Sequence, residues 1–113
     1  MTKIKFFKTR DYFTGYECRG HTGYAEFGKD ILCAALSGMT QSCMLGLTKV
    51  LGINIDLKKE DDDGYLKIEL PKNLEESKFL NAQVLLNTLY VSIEDLIDGY
   101  SKYISMEVIE NDY

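Results

Sequence analysis

Lys3 and Lys5 alternate with Ile4 and Phe6, the period-two pattern of a strand with one buried face. Tyr16 to Gly20 is expected to pair with it after a turn near Asp11 to Gly15. From Gly20 to Lys29 the glycines Gly20, Gly23 and Gly28 stand too close together for regular structure, which predicts a mobile loop. Asp30 then reads as an N-cap, and Leu32, Leu36, Met39, Cys43, Leu47 and Val50 recur at helical spacing until Gly52 supplies a stop. A neighbouring stripe of the same helix, Ala35, Gly38, Ser42 and Gly46, is small enough to admit another backbone.

Ile53, Ile55 and Leu57 alternate, an acidic turn runs from Asp61 to Gly64, and Leu66, Ile68 and Leu70 alternate again, which predicts a second hairpin. After Pro71, Leu85, Leu89, Ile93, Leu96 and Ile97 place a second helix within Leu74 to Tyr100, closed by Gly99. Ile104, Met106 and Val108 share one face of a last strand. The order is ββαββαβ, an α+β class in which a mixed sheet packs with two helices on one or both faces. At 113 residues the chain is expected to form a single domain spanning 1–113.

Composition adds limits to this outline. Apolar residues are 45% and charged residues 27% of the chain, ordinary for a globular protein. A net charge of −5 argues against direct nucleic-acid binding, which favours a basic surface. Lys3, Lys5, Lys8 and Arg10 interrupt the N-terminus, so it does not read as a signal peptide. No other stretch is expected to approach the roughly 20 apolar residues that span a bilayer. Three cysteines cannot all pair within one chain, so a cytoplasmic protein with free thiols and no membrane contact is expected.

One histidine, His21, precedes Cys33 by twelve residues across the glycine-containing loop. Cys33 falls in the first helical turn, where unpaired N–H groups and the positive end of the macrodipole favour a thiolate. An imidazole that accepts the thiol proton and returns it to a leaving amine would make the two a nucleophile and general base. Free N–H groups at the helix start are then candidate oxyanion donors. Asp30 supplies a carboxylate close to both and reads either as a helix cap or as an orienting group. Ser37, one turn beyond Cys33, faces the same side, as a supporting residue or as a small helix residue bonded to its preceding turn. Tyr24 and Phe27 are the loop aromatics placed to contact a substrate.

Rival readings of these residues fail on geometry. Cys18, His21, Cys33 and Cys43 do not form a zinc site, because residues ten apart on a helix are separated by about 15 Å of rise, whereas zinc holds thiolates at about 2.3 Å. Gly23 to Asp30 nearly matches a phosphate-binding loop, but Asp30 replaces the required hydroxyl and no apolar strand directly precedes Gly23. The acidic run Glu60 to Asp63 lacks the twelve-residue loop of an EF-hand.

The segment Gly20 to Ser37, GHTGYAEFGKDILCAALS, closely resembles the signature of the ribosomal-processing cysteine protease family. The likeness lies in the G-H pair, the glycine-containing loop, the D-I-x-C-A-A helix start and the serine four residues on, and the element order resembles that family's fold over nearly the whole chain. The resemblance implies a bacterial cysteine endopeptidase that removes a short N-terminal extension from large-subunit ribosomal protein twenty-seven. It places the catalytic histidine on His21 and the catalytic cysteine on Cys33, with the motif's aspartate and serine on Asp30 and Ser37. It also implies a homodimer, built on the small-residue helix stripe or an exposed sheet face, and no cofactor. The alternative is a non-catalytic, ribosome-associated binding module in which His21 and Cys33 only order the loop.

Overall fold

Thr2, Ile4 and Phe6 turn inward and Lys3 outward along β1 (Thr2–Thr9), so the first strand folds as its alternation requires. The computed structural model describes residues 1–26, 30–62 and 64–111. The remaining elements are β2 (Tyr12–Arg19), α1 (Ile31–Leu45), β3 (Asp56–Glu60), β4 (Tyr65–Glu69), α2 (Glu76–Tyr100) and β5 (Ile104–Glu110). α1 runs on into a π-helical turn, Gly46–Val50. The five strands form one sheet in the order β3-β4-β2-β1-β5, antiparallel except for the parallel β1–β5 pair. The fold is α+β with a mixed sheet and two helices in the expected order.

Both helices cover one face of the sheet. Phe6 and Tyr16 are paired across β1 and β2 and fully buried. Tyr16 donates its hydroxyl to the Thr40 carbonyl of α1 at 2.7 Å, while the Phe6 ring meets the edge of Tyr90 on α2 at 5.2 Å. The opposite face carries charge: Arg19 lies over the Tyr65 ring, Tyr65 donates to Glu17 at 2.9 Å, and Lys67 pairs with Glu69 at 3.2 Å.

The first hairpin turns earlier than its sequence suggests, at Arg10 and Asp11, with Arg10 at φ 58°. A β-bulge is the reason. The register steps from Phe7↔Gly15 to Lys8↔Phe13, so Phe13 and Tyr16 both face the core, although three residues apart, and the alternation is hidden. Gln83 of α2 completes this irregular stretch, accepting from the Phe13 N–H and donating to its carbonyl, both at 2.8 Å.

The second hairpin also differs. Ile53 is buried and Ile55 half-buried, but both precede β3, and Leu57 within it is 45% exposed. β3 pairs only with β4 at the sheet edge, so alternation there does not mark a core face. Gly99 lies inside the last turn of α2 rather than ending it.

The expectation of no bilayer-length apolar stretch is corrected. Ile31–Val50, 20 residues long with an 18-residue window of mean hydropathy 1.4, is long and apolar enough by length and composition to cross a membrane. In the fold it is the core helix, with Leu32, Leu36, Cys43 and Leu47 buried.

Candidate active site

Asp30 ends the loop and begins α1, and its carboxylate is the centre on which both are built. Oδ1 accepts the N–H groups of Leu32 at 3.0 Å and Cys33 at 2.9 Å, which is the geometry of an N-cap. Oδ2 turns back into the loop and accepts the Thr22 hydroxyl at 2.5 Å and the N–H groups of Tyr24 at 3.1 Å and Ala25 at 3.4 Å. Burial pushes this carboxyl upward, but the bonds from the Thr22 hydroxyl and the Cys33 and Ala25 N–H groups outweigh it and hold the group down at about 2. Asp30 is therefore an ionised, buried cap. Its described partners all belong to the loop and the first helical turn.

This arrangement narrows the expected oxyanion donors at the helix start. The Leu32 and Cys33 N–H groups are taken by Oδ1, and the Ala34 N–H donates to the Asp30 carbonyl at 3.1 Å. The N-cap carboxylate thus occupies two N–H groups of the first turn, Leu32 and Cys33, which a ligand would otherwise meet.

Cys33 is half-buried, and its sulfur touches Thr22 twice. The Thr22 N–H donates to Sγ at 3.3 Å, and Thr22 Oγ1 lies 3.4 Å from the same atom. The other two thiols are different. Cys18 is buried and pushed up to about 12, mainly by desolvation, and Cys43 is pushed up to about 11 by the same cause. Both therefore stay protonated and inert at neutral pH.

His21 and Cys33 line one cleft of about 540 Å³, together with Asp30 and Ser37. Ala34 and Leu36 of α1 and Leu66 of β4 line it with apolar surface, and Lys59, Glu60 and Asp61 of the second hairpin line it with charge. His21 lies at the hairpin side. Gly20 donates its N–H to the Gly64 carbonyl at 3.1 Å, and a Cβ built on Gly64 would stand 3.1 Å from His21 Cε1 and 2.8 Å from the Gly20 carbonyl oxygen. Gly64 also has φ +60°, so a side chain there is excluded twice over. Ser37 is exposed, and unlike Thr40 and Thr48 its hydroxyl bonds to no earlier carbonyl among the described residues.

The described part of the loop, 20–26, packs against the rest of the chain. Thr22 is only 2% exposed, and the Tyr24 ring meets Tyr100 at 5.8 Å and Tyr103 at 5.3 Å, both edge-on. Tyr24 thus packs on the end of α2 and the turn that follows it. Phe27, Gly28 and Lys29 lie outside the described residues, as does Asp63 of the acidic turn. Thr22, Gly64, Tyr100 and Tyr103 are absent from the sequence reading of the site, in which Tyr24 stands as a candidate for substrate contact. A threonine beside the only histidine was the available hint, but no periodicity links Thr22 to Asp30 or Tyr24 to Tyr103.

Comparisons with known proteins bear on the family and the fold. Ribosomal processing cysteine protease Prp of Bacillus subtilis is 28% identical over 85 residues, covering 75% of this chain and 76% of that protein. Its namesake from Staphylococcus aureus is 26% identical over 88 residues, covering 77% and 78%. Among solved structures, SMU.848 from Streptococcus mutans superposes with a TM-score of 0.85 at 24% identity, over 98% of this chain and 96% of that one. The S. aureus ribosomal processing protease Prp with a covalently linked product peptide superposes at 0.84 and 22% identity, over 96% and 100%. The sequence model of the family described as cysteine protease Prp matches residues 1–105, and the chain belongs to that family of cysteine peptidases.

Proposed function

We propose that this peptidase removes the N-terminal extension of large-subunit ribosomal protein twenty-seven in the bacterial cytoplasm, with Cys33 as nucleophile and His21 as general base. The observation that carries the assignment is that Cys33 and the chain's single histidine line one cleft, while the other two thiols are buried and pushed up. The names of the B. subtilis and S. aureus relatives, ribosomal processing cysteine proteases, support a substrate of this class.

In this reading the Cys33 sulfur attacks the scissile carbonyl carbon as His21 takes the thiol proton. His21 then protonates the leaving amine, and a thioester remains on Cys33. Water, deprotonated by His21, hydrolyses the thioester and restores the thiol. Asp30 acts as a positioning residue, because it fixes the first turn that carries Cys33 and the loop that carries His21. Ser37 supports the substrate from the next helical turn. The enzyme needs no cofactor, binds no nucleic acid or membrane, and acts as a homodimer. Exposed Leu80, Val84 and Val91 on α2 are apolar surface available for pairing. A monomeric mass by light scattering at micromolar concentration would count against the dimer.

The direct test is to incubate the purified enzyme with the extended precursor and follow the mass of its N-terminus. Wild type is expected to shorten it, whereas Cys33→Ala and His21→Ala leave it intact. Equal cleavage by wild type and Cys33→Ala would sink the mechanism. An untouched precursor beside a readily cleaved unrelated peptide would sink the substrate.

A further inference from the structure

Cys33 has to ionise beside a fixed negative charge. Thr22 Oγ1 is 2.5 Å from Asp30 Oδ2 and 3.4 Å from Cys33 Sγ, so one hydroxyl separates the ionised carboxylate from the sulfur. Two adjacent anions disfavour one another, and the thiolate is the one that must form during turnover.

The bonding capacity of that hydroxyl is fully used. It has one proton and two lone pairs. The proton goes to Asp30, one lone pair accepts a share of the Tyr24 N–H at 3.3 Å, which that group divides with Asp30 Oδ2 at 3.1 Å, and the other faces sulfur. With the thiol protonated, the S–H is the donor across the 3.4 Å contact. Once that proton has left, sulfur changes from a weak donor to an anionic acceptor, and a hydroxyl free to rotate gains by turning toward it. Asp30 keeps four N–H donors throughout, from Tyr24, Ala25, Leu32 and Cys33.

We propose that Thr22 is a positioning residue of the reaction, whose hydroxyl turns from Asp30 to sulfur as Cys33 ionises, so that one residue holds the thiolate by both its N–H and its O–H. The thiol proton goes to His21, and the hydroxyl keeps its own proton, so only a hydrogen bond changes hands. The inference rests on Cys33 as nucleophile and His21 as base. Among the described residues, the other titratable groups lining the cleft are His21 on the loop, Cys18 on β2, and Lys59, Glu60, Asp61 and Tyr65 on the second hairpin. Substitution at Thr22 leaves all of them in the chain.

The test measures iodoacetamide alkylation of Cys33 against pH, resolved from Cys18 and Cys43 by peptide mass spectrometry, together with kcat and KM on the extended precursor. Thr22→Val and Thr22→Ala should each move the Cys33 midpoint up by about one pH unit, the worth of one hydrogen bond to a charged group. They should lower kcat about tenfold at neutral pH with KM unchanged, and Thr22→Ser should keep the wild-type midpoint. A hydroxyl-free variant whose Cys18 and Cys43 stay protected and whose Cys33 midpoint does not move overturns the proposal. So does a Thr22→Ser midpoint displaced as far as that of Thr22→Val, or unfolding of both hydroxyl-free variants. Active Cys33→Ala would remove the nucleophile assignment and this inference together. Inactive Cys33→Ala beside an unshifted Thr22→Val removes the role of Thr22 alone.

Discussion

Asp30 joins the start of α1 to the loop before it through the two oxygens of one carboxylate. Its carboxyl is held at about 2 in the fold against an ordinary 3.8, so between these values the unfolded chain binds the proton that the folded chain refuses. The stabilisation is therefore complete above about pH 4 and is lost as pH falls toward 2. Asparagine can still cap a helix but carries no charge to titrate. Urea unfolding of wild type and Asp30→Asn across pH 2 to 6 should show wild type more stable at pH 6 and the difference shrinking below pH 4. A difference constant with pH would mean that the carboxylate is not held ionised by these bonds. The sequence left Asp30 open between cap and orienting group, because both uses need the same residue type at the same place. The bonds to Leu32 and Cys33 show the cap, and those to Thr22, Tyr24 and Ala25 show that it also ties down the loop.

At the scale of elements, α1 and the loop before it explain what periodicity conveys and what it omits. The helix was legible because Leu32, Leu36, Cys43 and Leu47 repeat on the face that packs on the sheet. Its small-residue stripe was legible too, though not what it meets. A Cβ on Gly46 would stand 2.9 Å from Leu85 Cδ1, so at that end the stripe admits α2 of the same chain. The loop carries no period, and three glycines alone suggested mobility. Its described part is held by contacts distant in sequence, with Tyr24 docked on Tyr100 and Tyr103. Edge-on aromatic pairs contribute about 0.5–1.5 kcal/mol each. Tyr24→Ala should therefore lower kcat/KM for the precursor several-fold by loosening the segment that holds His21 and Thr22, while Tyr24→Phe, which keeps the ring, should match wild type. Equal kinetics in all three proteins would detach the tyrosine cluster from the site.

Across the whole molecule, the sheet connects a position far from the chemistry to the wall of the cleft. Gly15 sits at the bulge of β2, opposite Glu69 of β4, and a Cβ built on it would come within 2.2 Å of the Ile68 carbonyl oxygen. Backbone cannot yield there as a flexible side chain could, so alanine must push β4 away from β2. That strand leads out of the hairpin that carries Lys59, Glu60 and Asp61 and brings Leu66 to the cleft. The alternation of Leu66, Ile68 and Leu70 announced the strand, whereas the bulge and the close approach were not legible, because neither follows from the residue types of one strand. Gly38 provides the contrasting case, since on the exposed side of α1 nothing stands within 4 Å of a Cβ there. Gly15→Ala should destabilise the protein by more than about 2 kcal/mol, as backbone overpacking does. Gly38→Ala should stabilise it by up to about 1 kcal/mol through helix propensity. Thermal unfolding of the two variants decides the matter. If Gly15→Ala melts with wild type, β2 and β4 are not packed this closely. If Gly38→Ala loses stability or changes the oligomeric mass, that end of the small-residue stripe is covered by a second copy of the chain, and the pairing surface lies on α1 instead of α2.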